Sequence, residues 1–250
     1  MRTLLLLAAL LPAVLSADDG FKVAVASNFS ETARKLARDF SEYYNNGALR
    51  LSYGSTGKLY AQIINGAPFD VFLSADAERP RLLEESGHAV PGTRSTYATG
   101  SLVLWSRDER LRGRNCREVL QRGDYNRLAI ANPETAPYGE AALQFLLAEG
   151  LWQDASRRVV YGENILQTLN FAATGNATLA FVAASLMSNR GLPSTVCMSR
   201  VPQSSHAALD QQLVLLRRAA DNEAANSFVE YLRSDRAAAI IERDGYTVVR

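Results

Sequence analysis

Cysteine and histidine are scarce in this 250-residue chain, with two of each: Cys116, Cys197, His88 and His206. The histidines lie far apart, without the cysteine or carboxylate spacing of a metal site, so both read as surface residues. An excess of charge of one sign is also missing. Lys and Arg number 27 against 26 Asp and Glu, which argues against a nucleic-acid-binding or anionic-membrane surface. Low-complexity linkers and internal repeats are absent. Only one long apolar run occurs, Leu4 to Leu15, too short for an ordinary membrane span. Arg2 precedes it, and Ser16-Ala17 then Asp18-Asp19 follow it. That order predicts a secretory signal peptide over residues 1–17, cut after Ser16 or Ala17. No Cys follows the apolar run, which argues against a lipoprotein anchor. In an exported chain Cys116 and Cys197 can form one disulfide; their spacing permits it without requiring it.

Enzyme signatures are lacking too. The sequence has no Gly-x-Ser-x-Gly elbow, no His-Glu-x-x-His and no Cys/His pair for covalent catalysis. Asp70 and Asp76 flank a strand-to-helix junction and read more simply as strand-end and cap residues than as paired acids.

What is present is a repeated alternation of strand and helix. Phe21–Ala26 reads as a buried strand, and Ala33, Leu36, Ala37, Phe40 and Tyr44 recur after it at helical spacing. Asn28 and Glu31 form a capping-box-like start to that helix. Leu49–Tyr53, then Leu59–Ile64, repeat the pattern. Pro68–Asp76 with the helix-like 77–86 repeats it again, which implies an α/β lobe with a largely parallel sheet. Thr96–Ser106 is a longer β-like run, expected to cross into a second lobe. Arg107–Arg122 is charged and expected at the surface. The alternation resumes at Leu128–Ala131, at Val159–Tyr161 and at Thr178–Ala183. Gln211–Leu216 reads as a strand able to return to the first lobe, and 222–233 and 235–243 as closing helices.

Tyr53-Gly54-Ser55-Thr56-Gly57-Lys58 stands at one of these junctions. It is not a Walker A loop. The required first glycine falls on Ser52, and Lys58 is followed by Leu59. Two readings remain: a strand-to-helix turn with good capping residues, or a junction whose hydroxyls and free N–H groups hold an anion at the positive end of a helix dipole. Junctions at Ser27-Asn28, at Asn132–Gly139 and at Gly162–Asn164 offer similar neutral donors. Four of them in a two-lobed architecture suggest a cleft in which helix N-termini converge, since ligands of such sheets bind at the carboxyl ends of the strands.

Five stretches carry a resemblance: Val23–Phe29, Tyr53–Ile63, Gly66–Asp76, Leu128–Gly139 and the terminal Arg243–Tyr246. On these the chain resembles the periplasmic molybdate-binding proteins, the solute receptors of molybdate ABC importers, over essentially all of the exported part. The resemblance implies a type II periplasmic-binding-protein fold. It has two lobes, each a mixed sheet flanked by helices, with the ligand cleft between them. Lobe 1 is expected over 18–98 plus 216–250, and lobe 2 over 99–215. It also implies a molybdate or tungstate oxyanion bound by Ser27, Asn28, Ser55 and Thr56 and by the backbone N–H groups of Tyr138 and Ile165. The metal is met only as the oxyanion, through Asn28, Thr56, Tyr138 and Ile165. Many relatives carry Ser where Thr56 stands, and one branch uses a Tyr hydroxyl where this chain has Ala183. Lys58 is expected to be a structural or rim residue. The implied protein is a periplasmic monomer, not an enzyme, without cofactor or nucleic acid, delivering its ligand to permease subunits in the inner membrane. Sulfate or another tetrahedral oxyanion is the alternative ligand. A secreted hydrolase using Asp70, Asp76 or Glu134 is the alternative class.

Overall fold

The computed structural model describes residues 20–44, 49–188, 192 and 194–248; the expected signal peptide lies outside them. β1 (Phe21–Ala26) leads through a 3-10 turn at Ser27–Phe29 into α1 (Ser30–Tyr44). Ala33, Leu36 and Phe40 of that helix are fully buried, the apolar stripe that its spacing predicted. β2 (Leu49–Gly54), α2 (Thr56–Ile64), β3 (Val71–Leu73), α3 (Glu78–Glu85) and β4 (Ser95–Thr99) complete the first pass through lobe 1.

The chain then crosses. β5 (Leu102–Ser106), α4 (Cys116–Arg122), β6 (Leu128–Ala131), α5 (Pro137–Ala148), α6 (Trp152–Ala155), β7 (Val159–Gly162), α7 (Ile165–Ala173), β8 (Leu179–Ala183) and β9 (Cys197–Arg200) build lobe 2. β10 (Asp210–Leu215), α8 (Glu223–Leu232) and α9 (Asp235–Arg243) return to lobe 1.

The two sheets share one plan. Their strand orders are β2-β1-β3-β10-β4 and β7-β6-β8-β5-β9. In each, the first three strands are parallel and the fourth runs antiparallel to both neighbours. That fourth strand is the one arriving from the other lobe, so the crossings are built into the sheets.

The structure corrects three expectations. Thr96–Ser106 is two strands in two sheets, because the chain leaves the ladder at Gly100-Ser101. The return to lobe 1 comes at 210, not 216, because Asp210–Leu215 is hydrogen-bonded between β3 and β4. The segment 107–122 is only partly superficial, since Leu111, Cys116, Val119 and Leu120 are buried.

Alternation along the strands splits the lobe 1 core. Val23, Val25, Val71, Leu73, Leu213 and Leu215 face α1, α8 and α9, while Ala24, Phe72 and Val214 face Leu59, Ile63 and Leu83 of α2 and α3. Lobe 2 has its own core around Trp105, Phe145 and Phe181. Cys116 and Cys197 are joined in a disulfide, Cα–Cα 5.6 Å, tying α4 to the edge strand β9. A cross-link spanning 81 residues contributes on the order of 2–4 kcal/mol.

Candidate functional site

Four helical starts meet at one small cavity between the lobes. Its wall is formed by Ala26, Ser27 and Asn28 at the end of β1, by Gly54, Ser55 and Thr56 at the start of α2, by Ala136, Pro137 and Tyr138 at the start of α5, and by Asn164 and Ile165 at the start of α7. Ala75, beyond β3, closes the remaining side. No residue of the wall is charged. The cavity is small, with a volume of about 10 Å³.

The hydroxyls before α2 differ in their bonding. Ser55 is the N-cap of α2 by backbone geometry, but its side chain accepts no capping bond. Its Oγ is buried and has no partner among the described residues. Thr56 Oγ1 accepts the Ala75 N–H at 3.1 Å, which leaves its own proton to donate. A serine that could cap and does not, beside a threonine with a free proton, makes this turn a donor pair. The simple capping turn is the weaker of the two readings.

The helices from lobe 2 contribute backbone. The first N–H groups of a helix have no acceptor inside it. α5 begins with Pro137, which has no N–H, so Tyr138 supplies the first of them. At α7, Asn164 Oδ1 accepts from Leu166 N–H and Gln167 N–H and passes over Ile165. The amides of Tyr138 and Ile165 are therefore the leading free donors of two helices whose positive ends face the cavity.

The two residues from the first junction occupy the wall, but their side chains are engaged elsewhere. Ser27 Oγ donates to the Gly54 carbonyl at 2.9 Å, locking the ends of β1 and β2 together. Asn28 Nδ2 donates to Gln211 Oε1 at 2.8 Å and to the Tyr246 hydroxyl at 3.0 Å. The capping-box reading of Asn28 and Glu31 is thereby corrected. The 3-10 turn has no side-chain cap, the buried Asn28 amide finds its partners deep in the hinge, and Glu31 turns outward to Arg34.

Sequence reasoning missed that hinge network. Gln211 Nε2 donates to the Tyr138 hydroxyl at 3.1 Å, and the Tyr97 hydroxyl donates to Ser74 O at 3.0 Å. The Tyr246 hydroxyl donates to the Asn28 carbonyl at 2.9 Å and accepts from Ser185 Oγ at 2.9 Å. Burial pushes the Tyr97, Tyr138 and Tyr246 phenols above their ordinary range, so all three stay neutral hydrogen-bonding groups. Two signals were available. Gln211 is a polar residue in a strand otherwise heading into the core, and Tyr246 ends a stretch already noted in the resemblance.

Around the mouth, the lobes touch directly. Gly57 N–H donates to the Thr135 carbonyl at 2.8 Å, Arg79 Nη2 to the Glu134 carbonyl at 3.3 Å, and Lys58 pairs with Glu163 at 3.1 Å. Lys58 thus sits at the rim. Ala183 ends β8, buried, and is not part of the wall. Asp70 and Asp76 are held apart by separate partners. Asp70 accepts from the Lys22 N–H at 2.7 Å and pairs with Arg218, while Asp76 accepts the Arg79 N–H at 3.0 Å and pairs with the Arg79 side chain. Among the described residues no group of His, Cys, Asp or Glu is placed to hold a metal ion.

Two lobes joined through exchanged strands, with a donor-lined neutral cavity between them, are the frame of a solute-binding protein. The family model for bacterial extracellular solute-binding proteins matches residues 21–247, and the chain belongs to that family. It is 41% identical over 224 residues to the molybdate-binding protein ModA of Rhodobacter capsulatus, covering 89% of this chain and 86% of that protein. It is 40% identical over 230 residues to the molybdate-binding protein ModA of Azotobacter vinelandii, covering 90% and 88%. The solved structure of the Azotobacter vinelandii periplasmic molybdate-binding protein superposes with a TM-score of 0.85 at 36% identity, covering 92% of this chain and 100% of that one.

Proposed function

We propose that this protein binds molybdate, with tungstate as a second ligand, in the periplasm and delivers it to the permease of an ABC importer. The observation that carries the reading is the chemistry of the cavity. Its wall offers hydroxyl and backbone N–H donors from both lobes and no charged side chain. A wall of that kind suits a fully deprotonated oxyanion. The free Ser55 hydroxyl, the Thr56 proton and the first amides of α5 and α7 supply the direct contacts, and the first junction contributes through the backbone of Ser27 and Asn28. Hydrogen bonds to a charged group contribute roughly 1.5–3 kcal/mol each. About six would cover the roughly 12 kcal/mol of nanomolar binding after ordering and desolvation are met. The choice of molybdate among tetrahedral dianions rests on the relatives named above. The protein works as a binder, without turnover or cofactor, and binding needs only one chain.

Calorimetric titration with molybdate, tungstate, sulfate and phosphate tests this. Saturable binding of molybdate and tungstate at micromolar concentration or below, with sulfate weaker by orders of magnitude, is expected. No heat and no thermal shift with molybdate, or an equal response to sulfate, would overturn it.

A further inference from the structure

Two wall residues, Asn28 of lobe 1 and Tyr138 of lobe 2, are bridged by a single buried amide. Gln211 is fully buried on β10. Its Oε1 accepts from Asn28 Nδ2 at 2.8 Å and shares the Tyr97 hydroxyl proton with the Ser74 carbonyl, at 3.3 Å, while its Nε2 donates to the Tyr138 hydroxyl at 3.1 Å. The ladder between β10 and β4 slips between Gln211 and Gln212, an irregularity of the kind that re-aims a side chain.

The place of this amide is as telling as its bonds. β10 and β4 are the strands on either side of the crossings between lobes, and Gly100 stands at the first crossing. A Cβ on Gly100 would lie 2.0 Å from the Tyr138 hydroxyl and 2.8 Å from Gln211 Nε2. No other residue leaves room for the Tyr138–Gln211 bond. Tyr138 therefore belongs to lobe 2 by its helix and to the hinge of lobe 1 by its phenol, while its backbone N–H faces the cavity.

We infer that Gln211 is a positioning residue for the ligand: it fixes the Asn28 and Tyr138 backbones at the cavity from the two sides of the hinge, without touching the ligand itself. The inference rests on the oxyanion-binding reading above. An apolar side chain of the same length would fill the volume but leave the Asn28 amide with Tyr246 as its remaining partner and the Tyr138 hydroxyl without the Gln211 bond, so that each would shift in its buried site.

The test is a double-mutant cycle between Gln211→Met and Tyr138→Phe, read in molybdate affinity and off-rate on the full exported chain. Each single change should weaken binding about 10–100-fold, mainly through a faster off-rate. The double variant should be no worse than the poorer single, because Gln211→Met already removes the bond that Tyr138→Phe removes. Tyr138→Phe removes a single oxygen and keeps the fold testable if Gln211→Met does not express. A second readout needs no ligand: in either variant the backbone amide resonances of Asn28 and Tyr138 should shift, and their hydrogen exchange should quicken. Unchanged amides overturn the inference whatever the ligand. A lowered melting temperature with unchanged molybdate affinity, or strictly additive losses, also overturns it and leaves a structural role only. Wild-type protein that binds no molybdate would instead count against the proposed function, a separate outcome.

Discussion

Ser55 and Thr56 are neighbours with opposite stability consequences. The Ser55 hydroxyl is buried without a partner, so its removal relieves an unmet donor, whereas the Thr56 hydroxyl already holds the Ala75 N–H. Ser55→Ala should leave the ligand-free melting temperature level or raise it, and weaken molybdate binding about 10-fold or more, the worth of one hydrogen bond to a charged group. Thr56→Val keeps the shape and loses the proton. It should weaken binding about 10–100-fold and also cost roughly 1–3 kcal/mol of stability, because the Ala75 amide is left without an acceptor. Calorimetry and thermal unfolding of both variants separate the two effects. At this scale the sequence is most legible where a residue's neighbours are local: Ser27, Asn28, Ser55, Thr56, Tyr138 and Ile165 all line the cavity. It read poorly where a partner lies far along the chain. The bonds of Asn28 go to Gln211 and Tyr246, 183 and 218 residues away, and no periodicity or spacing encodes such a pairing.

At the scale of elements, each helix entering the site begins differently: α2 with an idle cap, α5 with a proline, α7 with an asparagine that skips the first amide. Each device leaves donors pointing forward. The start of α2 also makes a direct contact between the lobes. A Cβ at Gly57 would meet the Thr135 Cα at 3.0 Å and its carbonyl oxygen at 3.1 Å, in the path of the Gly57–Thr135 hydrogen bond. Alanine favours a helix over glycine by up to about 1 kcal/mol. Gly57→Ala should therefore keep or raise the melting temperature of the ligand-free protein while weakening molybdate binding several-fold or more. Parallel loss of stability and affinity would show that Gly57 serves the helix and not the approach of the lobes. The exposed Lys58–Glu163 pair beside it is worth little by comparison.

Across the whole molecule, the hinge is a buried polar cluster of Tyr97, Tyr138, Tyr246, Asn28, Gln211 and Ser185, and its titration sets a pH limit. Burial raises the Tyr97, Tyr138 and Tyr246 phenols in the folded state, while unfolded tyrosine ionises near pH 10. Above about pH 10 the unfolded chain loses these protons and the folded one retains them, so stability falls as pH rises. Below that pH the contribution is complete. Melting temperature should be flat in this respect through pH 8–9 and drop steeply beyond pH 10. The drop should be shallower in Tyr138→Phe, which has one raised phenol fewer.

The sequence by itself determined the elements and their order. Apolar alternation and helical spacing are local properties, and Ser, Thr, Asn and Pro at the strand-to-helix junctions act within a turn or two. That sufficed for an α/β protein of two lobes with donor-rich junctions, and for the likeness to a molybdate receptor. Tertiary structure alone decided which sheet β10 joins, that β4 and β5 part at Gly100, that Cys116 meets Cys197, and that four junctions from two lobes enclose one cavity. It also decided that the Ser27 hydroxyl meets the Gly54 carbonyl and that the Asn28 amide meets Gln211 and Tyr246. Those outcomes depend on groups more than 25 residues apart finding one another in a buried space. There a polar atom left without a partner costs stability, and the choice of partner follows from the fold as a whole.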